Sequence, residues 1–70
     1  MKLFINRTYE TATGYIIPRC HFKENYPSSY AIFEVMTRTA DHFTVSHKTL
    51  TKKEVKKELH ISAKEPIEII

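Results

Sequence analysis

A single cysteine and a single glycine mark this chain of 70 residues, and each shortage excludes something. Cys20 has no second cysteine to pair with, so no internal disulfide can staple the fold. An unpaired thiol suits a reducing cytosol better than a secreted scaffold, and we expect a cytoplasmic protein. With Gly14 as the lone glycine, neither a glycine-rich phosphate loop nor the glycine-flanked elbow of a serine nucleophile can be built. No apolar run approaches the ~18–20 residues of a membrane span. The opening MKLFINR holds too few apolar residues for a secretory core of roughly 7–15, so no signal peptide and no membrane partner are expected. There is no repeat, low-complexity tract or linker, and residues 1–70 read as a single compact domain. A core this small supplies ~3–5 kcal/mol without disulfide or metal, which leaves self-association, as a homodimer, as the common remedy.

What is present reads mostly as strand. KLFINRTYE alternates in part, with Leu3, Ile5 and Tyr9 on one side and Phe4 opposite. TATG, with Gly14, reads as a turn. YIIPRCHF is strand-like again, but Pro18 has no amide hydrogen for a ladder, which points to a sheet edge or a bulge. KENYPSS is a loop, with Tyr26 held extended by Pro27. YAIFEVMTRT is apolar on both faces at its start, as a central strand would be, and FTVSH alternates after the short ADH connection, so the two form a hairpin. EPIEII closes the chain as a short strand or tail. The four phenylalanines are assigned to the core, and Glu34 is expected to answer Arg38 or a lysine across the strand. The order β-β-β-β-α-β fits an α+β fold: a small antiparallel β-sheet with one amphipathic helix packed on it. A small barrel competes, but barrels draw on glycines at corners and bulges.

LTKKEVKKEL (residues 50–59) supplies the helix. The Thr51 hydroxyl can cap a free amide of the first turn, Glu54 can reach back to the Thr51 amide, and Leu50 and Val55 sit where a hydrophobic staple belongs. Val55 and Leu59 share the face turned to the sheet. The charges are segregated: Lys52–Lys56, Lys53–Lys57 and Glu54–Glu58 are like-charge i,i+4 pairs, each unfavourable by roughly 0.2–0.5 kcal/mol. A helix tuned for its own stability would interleave the signs.

The net charge of +3 is also local. Five lysines and one acid lie between residues 48 and 57, whereas six basic residues face seven acids elsewhere. Local charge of one sign marks a contact face. We therefore expect a non-catalytic binding protein, regulatory or inhibitory, that docks onto an acidic surface of a partner protein. Lys48, Lys52, Lys53, Lys56 and Lys57 form the electrostatic patch, with Tyr26 as a separate aromatic anchor. An anion held by the first-turn amides and the neighbouring lysines is one form such a site could take. The alternatives are nucleic-acid binding through the same lysines, disfavoured by the absence of arginine from the patch, and a small structural or assembly subunit. No enzyme, cofactor or metal is expected. Cys20–His21 and His42–His47 have odd offsets that place the members of each pair on opposite faces of a strand, and Cys20 reads as a small, partly buried apolar side chain.

Overall fold

The computed structural model describes residues 1–24 and 27–70. Four strands form an antiparallel sheet in the order β2(Tyr9–Thr11), β3(Gly14–Pro18), β4(Tyr30–Arg38), β5(Phe43–Thr51), followed by the helix α1(Lys52–Glu58). A minor parallel pair joins β1(Lys2–Leu3) to β6(Glu68–Ile69) in the register Lys2↔Glu68 and Leu3↔Ile69. The fold is α+β with an open sheet, as the sequence implied.

One strand more precedes the helix than the sequence suggested, because KLFINRTYE is broken at Asn6. Asn6 has φ 66°, a left-handed conformation that asparagine tolerates better than most residues. The Arg7 amide closes the turn onto the Phe4 carbonyl at 3.1 Å, and the Phe4 amide donates to the Tyr9 hydroxyl at 2.7 Å.

The core lies on one face of the sheet. Ile16, Ala31 and Phe33 contribute from the strands, Val55 from the helix, and Leu3, Ile67 and Ile69 from around the parallel pair. Ile5, Tyr9, Cys20, Phe22, Val35, Leu50, Leu59 and Ile61 pack partly against this cluster. Cys20 is thus the half-buried side chain expected of it. Only two of the four phenylalanines belong here. Phe33 is fully buried, and Phe22 packs against it with ring centroids 6.4 Å apart. Phe4 is exposed beneath the Arg7 guanidinium, which stands 4.5 Å from its ring centre. Phe43 is 66% exposed, because it shares the outer sheet face with Ile32 and Val45, which are also exposed. Alternation fixes which side chains share a face, but not which face is covered.

Two other expectations need correction. β3 is not an edge strand, although it contains Pro18. Arg19 donates its amide to the Ile32 carbonyl at 2.9 Å, so the ladder bonds from β3 to β4 fall on odd-numbered residues. Pro18, opposite Phe33, occupies a position that has no bond to give. β2 has also ended there, its register stopping at Tyr9↔Ile16. Glu34 binds neither Arg38 nor a lysine but Arg19, whose Nη2 donates at 3.0 Å while its Nη1 donates to Asn6 Oδ1 at 2.7 Å. Arg19 is a diagonal neighbour across the strand pair, whereas Arg38 lies four residues along the same strand, about 13 Å away at ~3.3 Å per residue.

Gly14 opens β3 rather than shaping the turn, and its φ is not positive. What needs glycine is space: a Cβ at this position would sit 1.9 Å from the Met36 carbonyl oxygen.

Candidate functional site

The helix begins where the sequence placed it. Thr51 is the N-cap, Glu54 N donates to Thr51 Oγ1 at 3.2 Å, and Thr51 N donates to Glu54 Oε1 at 2.9 Å. Thr51→Ala should lower stability by about 0.5–2 kcal/mol, measured by chemical denaturation. A change indistinguishable from zero would contradict this assignment.

These same bonds occupy the helix start. The Glu54 amide is used by the cap, and the Lys52 amide donates to the Ser29 carbonyl at 3.2 Å. The Glu54 carboxylate adds negative charge at the same end. An anion held by first-turn amides therefore finds few donors left.

The other end of the helix could not be read from glycine or asparagine, because neither is present. Leu59 is the C-cap, and His60 follows it in the left-handed region with φ 56°. The His60 amide donates to Lys57 O at 3.4 Å and the Ile61 amide to Lys56 O at 2.8 Å, the bonding pattern of a Schellman motif. This turn brings Ile61 and Ala63 back alongside the lysine flank. His60→Gly should raise stability by about 1 kcal/mol, since glycine enters this conformation without a Cβ penalty. A thermal melt that shows no gain or a loss would contradict this.

Lys52, Lys53, Lys56 and Lys57 now share one open groove of about 660 Å³, together with Ser28, Ser29, Thr51, Ile61 and Ala63. The four lysines differ in how firmly they are held. Lys52 Nζ lies 5.4 Å from the centre of the Phe22 ring, within cation–π range, and 3.9 Å from Glu24 Oε1. Lys56 Nζ donates to the Ala63 carbonyl at 3.1 Å. Lys53 and Lys57 are exposed. The groove therefore has two lysines with tethered ammonium groups and two that are exposed, and Ile61 and Ala63 add apolar lining. Ser28 and Ser29 also line it, and Ser29 Oγ already donates to Glu24 Oε2.

Lys48 is not part of this groove. It lies on β5 opposite Phe33 and borders a separate hollow of about 130 Å³ with Leu50, Val35 and Glu58. Tyr26 lies outside the described residues. Ile61, Ala63, Ser28 and Ser29 escaped sequence reasoning because the serines come from the segment before β4, distant in sequence from the helix, and the His60 turn that gathers the other two carries no glycine.

No family model, curated protein or solved structure matches this chain. The groove offers positive charge, hydrogen-bond donors and a small apolar contact. Among the described residues, no group of three or more His, Cys, Asp or Glu is placed to hold a metal ion. His42 Nδ1 is 2.8 Å from Asp41 Oδ1 and 3.0 Å from Thr39 Oγ1 at the β4–β5 turn. No helix among the described residues is long and apolar enough to cross a membrane.

Proposed function

We propose that this protein is a non-catalytic binding module, regulatory or inhibitory, whose helix-lined groove docks onto an acidic surface of a partner protein. The observation that carries this reading is the convergence of Lys52, Lys53, Lys56 and Lys57 on one groove that also has an apolar patch. Lysines that were merely the solvated side of a helix would have no need of a shared concave surface. A carboxylate-bearing segment fits it well. The charges steer the encounter, and contact with Ile61 and Ala63 adds short-range complementarity that a purely electrostatic patch lacks.

The groove contains no arginine, and arginine is the usual bidentate reader of guanine. Lysine contacts to phosphates alone would give mainly non-specific affinity. We propose Lys48 and Tyr26 as further contact residues. Affinity capture from lysate, repeated after nuclease treatment, tests the partner class. Recovery of a protein that survives nuclease supports the proposal, and loss of every captured protein after nuclease moves the function to nucleic-acid binding.

A further inference from the structure

We propose that the free edge of β5 is a self-association site, at which two copies of this chain pair antiparallel with Ser46 on the two-fold axis. β5 is a nine-residue edge strand, and its first seven residues are all exposed. The hydrogen-bond register shows which of its backbone groups face outward. The amide of Thr39 donates to His42 O, and that of Lys52 to Ser29 O, at the two ends of the β4–β5 ladder. Bonded pairs alternate along an antiparallel ladder. Thr44, Ser46, Lys48 and Leu50 therefore spend their backbone groups on β4, while Phe43, Val45, His47 and Thr49 direct theirs away from it. Thr51, next in the outward series, already donates its amide to Glu54. Four consecutive outward-facing positions remain, and an unpaired edge of this length is a template for another strand.

The sequence of β5 suits a second copy in one register. With Ser46 opposite Ser46 of the second copy, Phe43 pairs with Thr49 and Val45 with His47, and all four outward residues are used on both strands. Thr44 then lies opposite Lys48, so no like charges meet. Moving the axis to Lys48 would set the two lysines against each other, which is destabilising directly across a strand pair. Moving it to His47 would place the two imidazoles together and call on the Thr51 amide, which is already engaged. Moving it to Val45 would leave Thr49 beyond the end of the partner strand. Lys48, the lysine that β5 carries within this stretch, thus selects the register. The product is an isologous dimer with a continuous eight-stranded sheet, in which the exposed Phe43 and Val45 gain cross-strand neighbours. A strand pair over residues 43–49, ~24 Å at ~3.4 Å per residue, is a narrow contact beside a standard interface of roughly 800 Å² per partner. The dimer should therefore be concentration-dependent.

Sedimentation equilibrium over a concentration series tests this. The wild-type mass should rise from the 8.2 kDa of one chain towards twice that value. Val45→Pro removes an outward amide without touching a bond to β4 and should raise the dimer dissociation constant by at least about tenfold, because an edge position with its N–H to solvent tolerates proline. Circular dichroism checks that the variant is folded. Should it not fold, exposed Ser46 provides a second route. Ser46→Lys and Ser46→Glu should each be monomeric alone, and mixing the two should restore the doubled mass. A wild-type chain that stays at 8.2 kDa up to millimolar concentration overturns the proposal. So does a folded Val45→Pro chain that dimerises like the wild type, or a mixture of the two Ser46 variants that remains monomeric.

Discussion

Gly14→Ala should destabilise the protein by about 3 kcal/mol, the upper part of the usual range for forcing an extra carbon into a packed site. The added Cβ would meet the Met36 carbonyl oxygen at 1.9 Å, its carbonyl carbon at 2.8 Å and the Thr37 Cα at 3.3 Å. All three are backbone atoms of β4, which has β3 on one side and β5 on the other, so no flexible side chain can swing clear. Relief requires β3 and β4 to separate where the Arg38 amide donates to Thr13 O at 2.6 Å. A domain with a core this small has only ~3–5 kcal/mol to lose, so a substantial fraction of the variant should be unfolded at room temperature. Urea denaturation followed by circular dichroism would measure this, and an unchanged midpoint would mean that the two strands are spaced differently.

The second large effect concerns the groove. Lys53→Glu combined with Lys57→Glu should weaken binding to the captured partner by at least about tenfold and slow its association, because local charge acts largely by steering encounter. These two are the lysines of choice because they are exposed, whereas Lys52 lies over Phe22 and Lys56 holds Ala63. Their reversal should leave stability nearly unchanged. An acid at residue 53 lies near the favourable end of the helix dipole and one at 57 near the unfavourable end, each by ~0.3–1 kcal/mol, so the two contributions largely cancel. The like-charge i,i+4 relationship between them is kept, with its sign reversed. Surface plasmon resonance on the folded double variant would read the rates. Wild-type affinity in that variant would reduce the lysine flank to the wet side of a helix.

The start of the helix was fully legible because three local signals agree within six residues: the Thr51 cap, the Glu54 return bond, and apolar residues at 50 and 55 that both reach the core. The β4–β5 hairpin was legible from alternation, although β5 runs on through Thr51 and extends well past FTVSH. What escaped depended on long-range context. Phe43 and Phe33 are equally apolar, yet one is exposed and the other buried, because only one sheet face receives the helix and the parallel pair. The role of Gly14 could not be separated from that of a turn glycine without the register that sets it opposite Thr37 and close to the Met36 carbonyl. In the groove, the lysines were visible as a charge pattern. Their apolar neighbours were not, since a histidine in a left-handed conformation carries no sequence mark of a helix stop.

An amide chemical-shift titration of the full chain would show whether an acidic protein surface docks in the lysine groove. A glutamate-rich peptide is titrated in, with a short duplex DNA as the comparison. The peptide should shift amides at residues 28–29, 51–57, 61 and 63, the Lys53→Glu, Lys57→Glu variant should lose those shifts, and the duplex should bind more weakly, with a steeper dependence on salt. Peptide-induced shifts confined to the outer sheet face, or a duplex that binds the groove more tightly than the peptide, would contradict an acidic protein partner in the groove.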